Sequence, residues 1–320
     1  MKLRSAGRTD VGKVRRRNED AILNRPEAGL WVVADGLGGH AAGDYASRLI
    51  VERLAALPRA GSALDFVDSI EDVLDAVNGD LRRAARARNV DVIASTVVLL
   101  VRGENCLFCG WLGDSRAYCC EDGRLLQITR DHVYRDADAA GWLGDRVTPP
   151  AAGSAPLTRA VGVEQSLFVD WVLAGNRPGT CFVLCSDGLN KEMTDQEIGD
   201  VCCGSASAGE VLAALFATAL SRAARDNISA VVVRLGGAVP ALRSRAQAPP
   251  GATGTPASAP AGGLGEANRR LHGLNEDYRL GRISREEYRS RRRALAGTLQ
   301  GVGTAAPVKP RWWSRLFGRA

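Results

Sequence analysis

The chain has 320 residues, 45% of them hydrophobic, which is enough to bury a sizeable core in one large domain or two smaller ones. No stretch reaches the roughly 18 uninterrupted apolar residues of a spanning helix, and the N-terminal MKLRSAGRTDVGKVRRRNED lacks the apolar centre of a secretion signal, so a cytoplasmic protein is expected. The net charge of +6 is unevenly placed: residues 1–238 hold 27 Lys+Arg against 31 Asp+Glu, a net of −4, whereas 239–320 hold 15 against 5, a net of +10. A body without its own basic excess argues against nucleic-acid binding, and any contact with anionic surfaces belongs to the tail.

The first apolar run, LWVVAD, ends at Asp35 and opens into VVADGLGGHAAGD. Gly36, Gly38 and Ala41 match a relaxed dinucleotide fingerprint, yet a carboxylate just ahead of the glycines would gain a phosphate nothing, and no strand–helix–strand unit surrounds it. A helix is expected over 43–57, with Leu49, Ile50, Leu54 and Leu57 on one face, and a second over 64–88 with Phe66, Ile70, Val73, Leu74, Val77 and Leu81. With LWVVAD, the runs TVVLLV, CLFCGWLG, CFVLCS and SAVVVRL read as strands, and several are apolar throughout instead of alternating, as strands covered on both faces are. Further helices are expected over 195–201 and 208–223. Helices interspersed with strands, without regular alternation, indicate an α+β layered fold rather than a doubly wound parallel sheet.

Eight cysteines include a C-x-x-C at Cys106 and Cys109. In a strand that odd spacing puts the thiols on opposite faces, so reduced, mostly buried thiols are expected instead of a metal or redox motif.

Several strand-like runs meet an aspartate at one end: VVADG (Asp35), WLGDSR (Asp114), VLCSDG (Asp187) and RDNIS (Asp226). Gathered at one sheet edge, four carboxylates would suit Mg²⁺ or Mn²⁺, which prefer oxygen ligands. Taken singly, Asp-Gly is an ordinary turn dipeptide, and Asp122 in CCEDGRLL is read as such a turn, without function.

GKVRRRNEDA (Gly12 to Ala21), VVADGLGGH, STVV (Ser95 to Val98), GDSRAY (Gly113 to Tyr118), LTRAVG (Leu157 to Gly162), LCSDGL (Leu184 to Leu189) and DNIS (Asp226 to Ser229) follow one another in the order found in a known family. Over about three quarters of its length the chain resembles bacterial type-2C, or PPM-type, metal-dependent serine/threonine protein phosphatases. The resemblance implies an αββα sandwich of two antiparallel β-sheets flanked by helices. It also implies two Mn²⁺ or Mg²⁺ ions bridged by Asp35, with the Gly36 carbonyl on one and Asp187 and Asp226 on the other. Asp114 corresponds to the ligand of a weaker third ion, Glu19 and Asp20 to outer-shell groups acting through water, and Arg15 to the arginine that grips the substrate phosphate.

The implied reaction is one-step hydrolysis, in which a water between the two ions attacks phosphorus in line and no nucleophilic side chain takes part. Cys185 does not head a cysteine-phosphatase loop, since after five intervening residues stands Lys191 instead of arginine. Two positions depart from the family. Leu37 stands where eukaryotic relatives carry a histidine, which leaves a metal-bound water or His40 to protonate the leaving alkoxide, and Ser95 replaces a glycine. The segment 131–156 corresponds to the flap beside the site, where substrate preference is expected to lie.

The first 238 residues thus form the phosphatase domain, and 239–263 a linker whose stretch from Ala246 to Gly263 is rich in Pro, Ala and Gly. In 264–300, Leu264, Ala267, Leu271, Leu274 and Tyr278 make one apolar stripe, Gly281 ends that helix, and Ser284 with Glu287 caps a second carrying Tyr288, Leu295 and Leu299. This helical hairpin resembles SHOCT oligomerisation modules; too small to be stable alone, it is expected to pair with another copy or dock on a partner. The tail 301–320 interleaves Trp312, Trp313, Leu316 and Phe317 with Lys309, Arg311, Arg315 and Arg319, a pattern for peripheral attachment to the inner membrane face or docking into a protein groove, set against a functionless terminus.

The leading expectation is therefore an enzyme acting on phosphorylated protein substrates, opposing a cognate Ser/Thr kinase. The alternative is a catalytically silent phosphoprotein-binding or scaffold module, which would be expected to have lost one of Asp35, Asp187 or Asp226. All three are present with Arg15.

Overall fold

The computed structural model describes residues 3–37, 42–134, 157–204, 207–236 and 263–297. His40, residues 135–156 of the expected flap, the linker up to residue 262, Leu299 and the tail lie outside these. The described strands form two antiparallel sheets. The first runs β1 (Leu3–Asp10), β11 (Ile228–Leu235), β10 (Cys181–Cys185), β7 (Arg116–Glu121), β8 (Arg124–Gln127). The second runs β2 (Asp20–Arg25), β3 (Leu30–Leu37), β5 (Val97–Arg102), β6 (Cys106–Leu112), β9 (Asp170–Gly175), with β4 (Ala94–Ser95) paired to β3.

The continuous apolar runs have their reason in two-sided burial. Along β3, Leu30, Val32 and Ala34 face outward into a layer shared with helices, while Trp31 and Val33 face the other sheet. Along β11, Ile228, Ala230 and Val232 point to the opposite helix layer, and Val231, Val233 and Leu235 to the centre. Alternation of side chains between faces therefore yields three stacked apolar layers, the αββα arrangement expected. Cys106 falls in an outer layer and Cys109 in the central one, so the C-x-x-C is split across the sheet.

On the second sheet lie α1 (Gly43–Ala55) and α2 (Ala63–Arg88). A capping box opens α2: Ser62 Oγ accepts from Asp65 N–H at 3.2 Å while the Asp65 carboxylate accepts from Ser62 N–H at 2.9 Å. On the first sheet lie α3 (Asp187–Glu192), α4 (Asp195–Gly204) and α5 (Ala208–Ser221). Asp122 and Gly123, both with positive φ, form the two-residue turn between β7 and β8, as the sequence predicts for that Asp-Gly.

The C-terminal hairpin, α6 (Leu264–Arg279) and α7 (Arg285–Gly297), is docked on its own chain. Its stripe of Ala267, Leu271 and Leu274, with Tyr288 and Leu295, belongs to the same apolar layer as α2. β9 is an edge strand, and α6 covers its open edge. Asn268 accepts from Leu173 N–H and donates to Leu173 C=O, both at 2.8 Å, and Asn275 donates to Trp171 C=O at 3.0 Å. These amides satisfy groups that a free edge would offer to another chain.

Charge holds the second helix. An acidic face of α2 (Asp65, Asp68, Glu71, Asp72) meets Arg285, Arg289, Arg292 and Arg293 of α7. Arg292 is only 2% exposed, bonded to Asp68 at 2.5 Å and to Glu71 at 2.6 Å, with Trp171 and Tyr288 beside its guanidinium.

Candidate metal centre

In these antiparallel sheets one end of the sandwich collects the start of β2, the end of β3, the turn between β6 and β7, the end of β10 and the start of β11. Every described aspartate expected at the site sits there. Asp20 and Asp35 are direct cross-strand partners on β2 and β3. Like charges placed opposite one another repel. Asp187 opens α3, Asp226 lies two residues before β11, and Asp114 lies in the turn after β6.

Two glycines beside the aspartates are there for close approach. A Cβ on Gly36 would stand 2.1 Å from the Gly43 carbonyl oxygen, and one on Gly188 would stand 1.9 Å from that of Asn227. Neither has positive φ, so these Asp-Gly pairs differ from the turn at Asp122. Gly36 N–H donates to the Glu19 carbonyl at 3.0 Å, which ties β3 to the loop carrying Arg15 and Glu19.

The electrostatics is that of a carboxylate cluster in want of cations. Burial, then Asp20 and Asp187, push the Asp35 carboxyl well above the usual range. Burial raises Asp20 to about 6 against the opposing hydrogen bonds from Ser229 and Ser186, the latter from Ser186 Oγ at 2.7 Å. Burial and then Asp187 raise Asp114 to about 6. Burial also leads the upward shifts of Glu19 and Asp187.

The cations present are side chains. Lys191 Nζ lies 2.5 Å from Asp187 and 3.0 Å from Asp226, and Arg15 Nε lies 2.9 Å from Asp226. With these partners Asp226 stays below the ordinary value although burial opposes that, and Asp187 and Asp226 hold the Lys191 ammonium charged despite its burial. Asp187 Oδ1 is buried with no hydrogen-bond partner. In this arrangement no three His, Cys, Asp or Glu among the described residues stand in ready ligand geometry. A divalent cation nevertheless fits the donor set: mutually repelling carboxylates, an orphaned buried oxygen, and an ammonium already bridging two of the acids.

Three supports escape a reading of the sequence. Lys191 follows Asp187 by one helical turn, and only its failure to be arginine draws notice there. Asn227 is a clamp: it accepts from Glu19 N–H at 2.8 Å and donates to the carbonyls of Val11 and Arg17. Behind Asp114, His132 Nδ1 accepts from Gly113 N–H at 3.0 Å, and its other nitrogen meets Asp170 at 2.9 Å, where Arg159 also binds. No spacing signal links residues so far apart in the chain.

Comparison with known proteins gives these features a setting. A family model described as protein phosphatase 2C matches residues 13–235. The serine/threonine protein phosphatase PstP of Mycobacterium tuberculosis is 34% identical over 206 residues, 61% of this chain. The chain spans only 38% of that relative's length. A solved Pseudomonas aeruginosa protein, "PppA, a key regulatory component of T6SS", shares 44% identity at a TM-score of 0.65, covering 72% of this chain and 97% of its own. A PstP catalytic domain in complex with two manganese ions shares 32% identity at a TM-score of 0.60, covering 73% and 99%.

Proposed function

From the premise that the chain belongs to the protein phosphatase 2C family, we propose that it hydrolyses phosphoserine and phosphothreonine on proteins, with two Mn²⁺ or Mg²⁺ ions, and so reverses a Ser/Thr kinase. The carrying observation is the convergence of Asp20, Asp35, Asp114, Asp187 and Asp226 on one end of the sandwich, with Asp187 Oδ1 unpartnered. When bound, divalent cations would supply a water of lowered pKa and positive charge for the phosphoryl group.

The chain's own residues hold and orient. Asp35, the Gly36 carbonyl, Asp187 and Asp226 are the proposed ligands, with Asp114 for a third, weaker ion and Glu19 and Asp20 reached through water. Arg15 is half exposed and pairs with Asp226 through Nε. A planar fork in that position suits two phosphate oxygens and keeps its charge at any working pH. Lys191, now paired with Asp187 and Asp226, would have to yield both carboxylates to bound ions, and its ammonium would then add positive charge beside them. Leu37 offers no proton, so His40 remains the nearest side-chain acid in the chain to Asp35 on its C-terminal side.

The binding-module alternative is separated from this reading by one peptide carrying a single phosphothreonine. With Mn²⁺ and the chain far below stoichiometric, many phosphates released per chain support the enzyme. A peptide that stays bound with its phosphate intact contradicts it.

A further inference from the structure

Away from the carboxylate cluster, the first sheet carries an unusual row. Cys120 on β7 pairs directly with Cys181 on β10, and Cys181 pairs with Arg234 on β11, so two thiols and a guanidinium stand side by side across three strands. Direct cross-strand partners share a face. The C-terminal turn of α4 lies over that row and adds Cys202 and Cys203. Cys119, one residue away, packs into the central layer and takes no part.

Two features separate this cluster from ordinary buried cysteines. The sulfurs of Cys120 and Cys203 are 2.8 Å apart, although both are free thiols. Two thiolates on one tetrahedral zinc would stand about 3.8 Å apart, given a Zn–S distance of about 2.3 Å, so the spacing is that of a pair poised to join each other. In addition Arg234 is 7% exposed and no ion pair among the described residues includes it; Nη2 donates to the Cys202 carbonyl at 2.7 Å, while Nε and Nη1 are orphaned. A buried guanidinium without a carboxylate favours negative charge on whatever lies next to it, and here that is sulfur. The effect is local: Cys181 is held below the ordinary thiol value by its hydrogen bond with Cys202 and, against burial, by Arg234, whereas burial pushes Cys120 up, as befits the thiol that keeps its proton until the second step.

We propose that Cys120 and Cys203 are an oxidisable dithiol that a peroxide converts to a disulfide, fastening the C-terminal end of α4 to β7. Cys203 is the more exposed of the two and reacts first. Its thiolate attacks hydrogen peroxide, forming an S–O bond as the O–O bond breaks and leaving sulfenic acid, with the second oxygen departing as water after protonation. The Cys120 sulfur then attacks the Cys203 sulfur, the S–S bond forms, and the hydroxyl leaves as water with the Cys120 thiol proton. Two electrons pass from the thiols to the peroxide, and two waters result. At its other end α4 is already tied to β7, because Tyr118 Oη donates to Asp195 at 3.0 Å. The cross-link therefore pins the helix at both ends and does not depend on the phosphatase reading.

The test treats the full chain with hydrogen peroxide, blocks free thiols, and identifies linked peptides by mass spectrometry without reductant. A Cys120–Cys203 peptide that dithiothreitol dissolves is expected, together with a raised thermal midpoint in the oxidised chain. Cys203→Ser should lose both effects and Cys106→Ser neither. Cys203 oxidised to sulfinic acid without a link, a link between other cysteines, or zinc bound to the purified chain and shielding the four thiols would overturn the proposal.

Discussion

Replacing Arg292 by alanine probes the docking of the C-terminal hairpin most sharply. The guanidinium is nearly inaccessible and bonded to both Asp68 and Glu71. Removing one member of a buried ion pair costs about 3–5 kcal/mol, chiefly because the remaining charge is left uncompensated. Here Arg289 and Arg293 still reach Asp68, and Arg289 also reaches Glu71, so the lower end, about 3 kcal/mol, is expected. For a folded body of this size that corresponds to roughly 6–12 °C in the first unfolding transition. Thermal and urea unfolding of the full chain measures it, with Arg269→Ala as a control on an exposed α6 pair that should change stability by less than about 0.5 kcal/mol. If Arg292→Ala behaves like the control, the interdigitated charges do not hold the hairpin.

Three further outcomes follow from the same structure. A chain ending at residue 262 loses Asn268 and Asn275 from the β9 edge and should self-associate in sedimentation experiments; a monodisperse chain with unchanged thermal midpoint contradicts that role. Asp20 and Asp114, each near 6, are partly protonated at pH 6, so Mn²⁺ binding should release protons there and fewer at pH 8; calorimetry in buffers of different ionisation heat would show no buffer dependence at pH 6 if this is wrong. Because those values are raised on folding, the folded chain binds more protons than the unfolded one between the ordinary carboxylate range and about pH 6. Without cations, these two groups therefore lower stability as pH rises through that window. Lys191→Ala removes the ammonium that occupies Asp187 and Asp226 and should tighten Mn²⁺ binding severalfold in a titration; weaker binding would assign Lys191 a different part.

Much of the fold was legible because periodicity reports burial directly. The 26-residue α2 is expected from its stripe to within one residue, and the long apolar runs in β3, β5, β10 and β11 reflect burial on both faces, Arg234 of β11 being a buried exception. β1 is less legible: its LRSAGRTD holds few apolar residues because it is an edge strand, half exposed, whose pairing with β11 supplies what its own pattern lacks. The hairpin's helices follow their stripe and cap, but its partner does not follow from them. A stripe tells that a face is covered, not by what, and the expected docking on a second copy or another protein is met instead by α2 and β9 of the same chain. At the site, the aspartates are legible as strand ends plus glycine. Lys191, Asn227 and His132 act through contacts that only the closed sandwich creates.

Phosphate release from a phosphothreonine peptide in the presence of Mn²⁺ is the most direct test of metal-dependent hydrolysis, compared for the wild-type chain, the wild type with chelator, and Asp187→Ala. Turnover is expected in the first case and its loss in the other two, with Asp187→Ala still folded by circular dichroism. Turnover that survives both the chelator and the substitution would contradict it.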